Sequence, residues 1–529
     1  MEKHIRVIGK ILEEMAKKYG DKTFLYFRDE QVSYRELNAA SNRVSNGFLK
    51  LGIKKGDNVS IMLPNCPDFL YSWFGLAKIG AVNVPVNNMY KGEFLRYIID
   101  HSDSKIIIIH NQFLERLKLL EKDLPKLEKV ILFGGASQVE VGFTIIPFEE
   151  LIKSPDTSPK IEVGQYDLDA IIYTSGTTGP PKGVMRTHGY SCNAAAYDIQ
   201  TRGTSSDDIL YTCLPLFHQN AQLATALPGL MAGASIALAE RFSASRFWDD
   251  IRKYKATQFN LIGAMLNYLY KQPPKENDAD QPARLAVGGP FSKSIFNEFR
   301  QRFNIKFLEG YGLTESGLLT VNPYDESNPK LGSFGKPTVE FDVRIVDDDD
   351  NEVPPGTVGE IVSRPKVPNV MMSGYYKMPE KTLEVFRNLW FHTGDYGKMD
   401  PDGYFYFIDR KKDYLRVGGE NISSMQVETT INSHPKIAES AVLGIKLEEG
   451  AEDNMALYMV LKPGEKLTPE ELMDWCQERL PRFAVPRFVE FLDDLPKTPT
   501  ERVEKYKLKE RGVGPNTWDR VKAGYEVKR

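Results

Sequence analysis

Residues 173–183 read YTSGTTGPPKG. Four aliphatic hydroxyls (Thr174, Ser175, Thr177 and Thr178), three glycines, two prolines and one lysine share these eleven positions, a mixture that no packed core would use. The preceding LDAIIYTS, residues 168–175, has the apolar run of a buried strand, and VMRTHGYSCNAAAYDI, residues 184–199, reads as a helix. A glycine-rich loop between a strand and a helix lets backbone N–H groups converge on an anion, while hydroxyls add donors and a lysine adds charge. Phosphate is the guest that this chemistry suits. The phosphate loop of the P-loop NTPases needs G-x-x-x-x-G-K-[ST], whereas Gly176 and Gly179 are followed here by Pro180, Pro181, Lys182 and Gly183, so the spacing rejects it. Clusters of Ser, Thr, Gly and Pro also mark ordinary loops, and the rest of the chain has to decide between the two.

Working outward, apolar segments NVSIML (58–63), AVNVPV (81–86) and KIIIIH (105–110) alternate with helical patterns such as SYRELNAASNRVSNGFLKLG, which argues for an α/β layout with largely parallel strands. The theme repeats beyond the loop, where ILYTCLPL, SIALAE and TQFNLIG read as further strands. Between about residues 330 and 408 the strands become short and are broken by Gly, Pro and Asp, the texture of a smaller β subdomain. The acidic run Asp347–Asp350 beside a turn reads as a solvated loop, not a metal site. A charged junction, RKKD, leads to a last unit of about 120 residues. Its strands ESAVLGI and NMALYMVLK, with a helix started by Thr468, Pro469 and Glu471, make it α+β. The division expected is residues 1–411 and 412–529.

A chain of 529 residues with 41% hydrophobic and 26% charged residues can build a large core. Its net charge of -4 gives no electrostatic footprint for nucleic acid. The four cysteines, Cys66, Cys192, Cys213 and Cys476, are far apart and read as free thiols of a reducing compartment. The amino terminus lacks the apolar core of a signal peptide, and no apolar run reaches about 18 residues, so a cytoplasmic protein without a transmembrane segment is expected. The sequence leaves the oligomeric state open, a homodimer included.

YTSGTTGPPKGV resembles the signature of the adenylate-forming enzymes: acyl-CoA synthetases, firefly luciferase and the adenylation domains of peptide synthetases. GDNVSIMLPN (56–65), GAVNVPVN (80–87), LPLFHQN (214–220), EGYGLTES (309–316), WFHTGD (390–395) and DRKKDYLRVGGENIS (409–423) follow in that family's order over nearly the whole chain. The resemblance implies a large two-lobed N-terminal α/β part and a small mobile C-terminal domain, acting on a carboxylic acid, ATP with Mg²⁺, and coenzyme A. A carboxylate is a poor electrophile. Attack on the α-phosphorus of ATP gives an acyl-adenylate and pyrophosphate, and the charge on the phosphates must be met by metal and fixed donors.

The resemblance gives the quoted loop, Thr174, Ser175, Gly176, Thr177, Thr178, Gly179 and Lys182, the β- and γ-phosphates. Tyr311 would stack on adenine beside Gly312 and Gly289, Thr314 would touch the α-phosphate, and Glu315 with Thr174 would hold Mg²⁺. Asp395 would accept the ribose hydroxyls, and Arg410 would add a ribose or phosphate contact. An isolated histidine at a strand end is more often structural; the resemblance instead puts His218 at the acyl substrate with Gly310, and the stretch NLIGAML (260–266) with Gly288 and Gly289 is expected to line the same pocket. Lys412 would be the hinge between two half-reactions, and Gly418 would lie beside the pantetheine tunnel. Where the family has a lysine in a segment like TPTGK, this chain has Thr498, Pro499, Thr500, Glu501 and Arg502. Arg502 keeps the charge with a planar, bulkier group; Lys505 or Lys497 could reach the site instead, or the chain could be a binding homologue that no longer adenylates. A carrier protein is the alternative acceptor to CoA. The region 240–258 with KQPPKENDAD resembles the carnitine and crotonobetaine CoA ligase branch, and the acid itself stays open.

Overall fold

The computed structural model describes residues 6–174, 180–289, 293–323, 330–411, 413–417, 420–447, 453–498 and 503–527. The chain divides into two compact units, one from residues 1–176, 180–342 and 364–386 and the other mainly from residues 343–363 and 387–529.

In the first unit the described residues form two large sheets. The seven-stranded sheet runs Thr144–Pro147, Lys129–Phe133, Ile106–His110, Asn58–Met62, Val82–Pro85, Leu168–Thr174, Lys182–Thr187, parallel except for the last pair. Its central strands are buried on both faces, which is why they read as apolar runs. Successive side chains of a strand point oppositely, so Ile106 and Ile108 join the core that holds Trp73 and Phe74. Ile107 and Ile109 join a second core with Leu95 and Ile98. Helix Tyr34–Lys50 starts at a capping box, in which Ser33 accepts from the Glu36 backbone while the Glu36 carboxylate accepts from Ser33 N–H.

The nine-stranded sheet has the order Lys336–Pro337, Gly317–Pro323, Lys306–Leu313, Leu285–Gly289, Gln258–Ile262, Ile209–Thr212, Ser235–Leu238, Thr23–Phe27, Glu30–Ser33. Strands 209–212, 258–262, 285–289 and 306–313 are parallel. Their carboxyl ends therefore deliver LPLFHQN, Gly263, Gly289 and the EGYGLTES turn to one edge, where open parallel sheets place their ligands.

The stretch 184–199 departs from expectation. Lys182–Thr187 is a strand that returns antiparallel along Leu168–Thr174, in the register Thr174↔Lys182, Tyr173↔Gly183, Ile172↔Val184. The helix begins only at His188, where the Thr187 hydroxyl accepts from Tyr190 N–H at 3.1 Å. The glycine-rich loop thus closes a hairpin and does not open a helix. The reason is long-range: the far side of 182–187 pairs with 372–376, through Met185 N–H to Gly374 O at 3.0 Å and Tyr376 N–H to Gly183 O at 2.7 Å. That pairing completes the strand's hydrogen bonds and overrides local helix propensity.

The second unit holds a sheet of Phe341–Val346, Gly359–Pro365, Trp390–Met399, Phe386–Arg387 and Phe405–Arg410. It also holds the hairpin of Tyr414–Val417 with Glu420–Ser423, and a four-stranded sheet of Ile437–Ile445, Asn454–Leu461, Phe488–Phe491 and Trp518–Asp519 with helices Ser424–Asn432, Pro469–Gln477 and Lys505–Arg511. The capping box at Thr468 and Glu471 is formed. The acidic run is not wholly solvated: the Asp350 side chain is 14% exposed and meets Arg387 Nη2 at 3.2 Å, while Asp347 accepts from the backbone of Asn351. All four cysteines are buried free thiols. Among the described residues, no helix is long and apolar enough to cross a membrane.

Candidate active site

Lys182 opens the second arm of the hairpin, and Thr174 closes the first; the Thr174 hydroxyl donates to Lys182 O at 3.4 Å. Lys182 Nζ lies 3.3 Å from the Tyr375 hydroxyl and 4.4 Å from the centroid of its ring. The hydroxyl in turn donates to Glu315 Oε1 at 2.9 Å. Burial, the largest influence on Lys182, pulls its pKa below the ordinary lysine range, and the Glu315 charge opposes that shift. Glu315 is 8% exposed, and its carbonyl accepts from Met372 N–H at 2.7 Å. Segment 372–376 therefore stitches the hairpin to the EGYGLTES turn. Tyr375 is the residue that sequence reasoning missed, because MMSGYYK carries no local signal and its significance lies in contacts far along the chain.

The turn is fixed from a second side. The Tyr190 hydroxyl donates to Thr314 O at 3.0 Å, and Gln219 Nε2 reaches that hydroxyl at 3.2 Å. Exposed His218 caps the short helix after it, its Nδ1 accepting from Asn220 N–H at 3.2 Å. The loop 214–220 is clamped by Asn65 of the LPN motif, which donates to Leu214 O at 3.0 Å and accepts from Leu216 N–H at 2.8 Å. Beneath it lies a fully buried pair. Arg186 meets Asp169 at 2.9 and 3.2 Å and donates to Gln222 Oε1 at 2.7 Å, and Gln222 Nε2 donates to Leu216 O at 2.7 Å. Gln222–Ala226 is a turn of π-helix, a form frequent at functional sites.

Gly288 and Gly312 tolerate no side chain. Gly288 has φ +152°, and a Cβ there would sit 1.8 Å from Leu261 O. At Gly312, beside the register slip after Tyr311, a Cβ would sit 2.0 Å from Gly317 O. Gly289 and Gly310 lie on the same two strands, and the half-buried Tyr311 ring stands 4.7 Å from Phe334.

In the second unit Asp395, 3% exposed, lies opposite Arg410 on paired strands, and Arg410 Nε approaches its Oδ1 at 3.5 Å. Lys411 Nζ lies 3.1 Å from both Glu360 and Asp348. Asp409 collects the Ser424 hydroxyl at 2.8 Å, the Ser423 hydroxyl at 3.2 Å and Met425 N–H at 3.2 Å. Lys505 is engaged by Glu428 at 2.8 Å and Ser424 at 2.5 Å, and Lys497 by Glu439 at 2.8 Å. Ser175, Gly176, Thr177, Thr178, Gly179, Lys412, Gly418 and Arg502 lie outside the described residues.

Among the described residues, no group of three or more His, Cys, Asp or Glu could hold a metal ion. A divalent cation at Glu315 would share one carboxylate with oxygens of a substrate. That is how Mg²⁺ is commonly held, with one or two carboxylates and phosphate oxygens, so the residues fit it.

The family described as AMP-binding enzyme matches residues 12–376, and the AMP-binding enzyme C-terminal domain matches residues 426–502. A crotonobetaine/carnitine–CoA ligase of Salmonella heidelberg is 34% identical over 508 residues, covering 94% of this chain and 98% of that protein. Among solved structures, the anthranilate CoA ligase AuaEII in complex with anthranoyl-AMP superposes with a TM-score of 0.85 at 26% identity, covering 96% of this chain and 97% of the other. The O-succinylbenzoate CoA synthetase MenE of Bacillus subtilis in complex with ATP and magnesium ion has a TM-score of 0.81 at 26% identity, over 94% and 99%.

Proposed function

This chain belongs to the AMP-binding enzymes, and from that premise we propose how its residues divide the work of an AMP-forming acyl-CoA ligase. The activity is that of an acid–thiol ligase working through an adenylate. A carboxylate oxygen attacks the α-phosphorus, the bond to the bridging oxygen breaks and pyrophosphate leaves. A thiolate then attacks the acyl carbon and AMP leaves.

The observation that carries the assignment of residues is the line Lys182, Tyr375, Glu315 at 3.3 and 2.9 Å. It sets one cation and one hard oxygen donor where a glycine-rich hairpin loop ends. Lys182 and the hydroxyls of residues 174–178 take the outer phosphates, Thr314 the α-phosphate, Tyr311 the adenine ring, and Asp395 with Arg410 the ribose. Glu315 would hold Mg²⁺, which when bound draws charge from the phosphate oxygens. His218, Gly288 and Gly310 border the acid. Arg502 stands in for the family's lysine. Lys505 and Lys497, the other candidates for that role, are already engaged by Glu428 and Glu439, which supports the arginine. CoA is the acceptor, and the relatives named crotonobetaine/carnitine–CoA ligase make a trimethylammonium carboxylic acid the first to try.

The test is carboxylate-dependent exchange of labelled pyrophosphate into ATP, run with thioester formation on free CoA over short, medium, aromatic and betaine acids. Exchange with some acid and a loss of about 10²-fold or more in Arg502→Ala are expected, on the scale of removing one electrostatic stabiliser. Equal rates in the two proteins would take Arg502 out of the mechanism. Absence of exchange with every acid would sink the assignment.

A further inference from the structure

Tyr375 is fixed by everything except a substrate. It is 3% exposed, its N–H donates to Thr382 Oγ1 at 2.9 Å, it bridges Val184 on the hairpin, and Gly374 before it has φ +122°. Its neighbour Tyr376 is tied through its hydroxyl to Asp103 at 3.0 Å and to Asn58 at 3.2 Å. The phenol oxygen therefore stands in one place, interposed between an ammonium and a carboxylate of opposite charge. If those two charges paired directly they would satisfy each other, and phosphate and metal would have to break the pair before binding. A neutral hydroxyl that accepts from one and donates to the other aims both groups while leaving two ammonium protons and the second carboxylate oxygen for a ligand. Charge-assisted bonds of this kind are stronger and more directional than neutral ones.

We propose that Tyr375 is the positioning residue for metal–nucleotide binding: its hydroxyl holds Glu315 in the orientation that receives a divalent cation and holds the Lys182 ammonium toward the phosphates of the same nucleotide. This rests on the reading above that Glu315 takes the metal and Lys182 the phosphates. It makes no claim on the acid or the thiol.

Tyr375→Phe removes one oxygen and keeps the ring under the ammonium. The Mg²⁺ concentration giving half-maximal pyrophosphate exchange is expected to rise about tenfold, the loss of roughly one hydrogen bond to a charged group. Calorimetric affinity of the purified protein for Mg²⁺–ATP should weaken by a similar factor. At saturating Mg²⁺–ATP the exchange rate should fall by less than about threefold, and conversion of a preformed acyl-adenylate to the thioester should persist, which reports that the variant is folded. A Mg²⁺ titration and a calorimetric isotherm that both superimpose on those of the parent overturn the proposal. So does an equal loss of both half-reactions, which marks a merely structural tyrosine. Failure of the parent to exchange pyrophosphate at all strikes the underlying reading instead.

Discussion

Asp169→Asn tests whether the buried pair beneath the site is a support or an ornament. Both side chains are 0% exposed, and Asp169 accepts two bonds from Arg186 and one from the Ser191 hydroxyl at 2.9 Å. An arginine side chain carries a permanent charge, so the amide leaves a full cation in the core. Among the described residues, the Arg186 Nη1 group already lacks a partner. The new amide N–H₂ would face one guanidinium N–H donor to donor, and only the neutral amide oxygen and Gln222 would remain as acceptors. Breaking a buried pair costs about 3–5 kcal/mol. At no more than ~2 °C per kcal/mol for a unit this large, the midpoint should drop by at most about 6–10 °C. Thermal unfolding followed by circular dichroism, read on the transition that ATP shifts, measures it. The double variant Asp169→Leu/Arg186→Met should recover most of the loss, because an apolar pair of similar volume is often neutral. A single variant within about 1 °C of the parent, or a double variant as damaged as the single, would refute the reasoning.

Other outcomes follow from the same geometry. Burial raises the Glu340 carboxyl to about 7, against the attraction of Arg6. Between the ordinary carboxylate range and that value the folded chain holds a proton that the unfolded chain releases, so stability falls as pH rises through this window and levels off above it. Glu340→Gln should shrink the difference in melting midpoint between pH 5.5 and 8. Thr187→Ala removes the cap of helix His188–Arg202 and should cost about 1 kcal/mol by urea unfolding, with slower pyrophosphate exchange because Tyr190, which it positions, holds Thr314. Lys505→Met leaves Glu428, whose pKa burial already raises, without its counter-charge. It should lower the melting midpoint while exchange stays within about threefold, whereas loss of exchange on the scale of Arg502→Ala would return Lys505 to the list of catalytic candidates. Gly288→Ala drives a methyl group into Leu261 O, and strands 258–262 and 285–289 should part enough to abolish acid-dependent exchange.

What local sequence encodes was legible. KIIIIH gives a strand because alternate isoleucines fill two different cores, and the capping boxes at Ser33 and Thr468 stand where Ser or Thr precedes Glu by three residues. The helix expected from Val184 was misplaced because only the partner segment 372–376, nearly two hundred residues away, makes 182–187 a strand. Tyr375 was hidden for the same reason. Asp169 did leave a trace, a carboxylate inside the apolar run LDAIIYT that no exposed face explains. Its partner left none: Arg186 registers with Ala170, and the shift between Leu168 and Ala170 breaks the regular alternation from which the pair could have been read.

Those two misreadings have one physical origin, and it bears on how the site works. A loop that opened a helix would draw its anion affinity from the helix end, as phosphate loops of that kind do. Here the loop joins two antiparallel strands, whose amides and carbonyls are consumed by each other and by segment 372–376. Without a helix end, the charge that the proposed phosphate site needs falls to side chains, and Lys182 is a described cation at the loop's exit. A lysine whose pKa burial pulls down binds anions less well unless something aims it. The segment that turns 182–187 into a strand is also the one that carries Tyr375 to Lys182 and backbone N–H of Met372 to Glu315. The strand pairing that overrides the helix is thus what builds the charge arrangement a phosphate would meet.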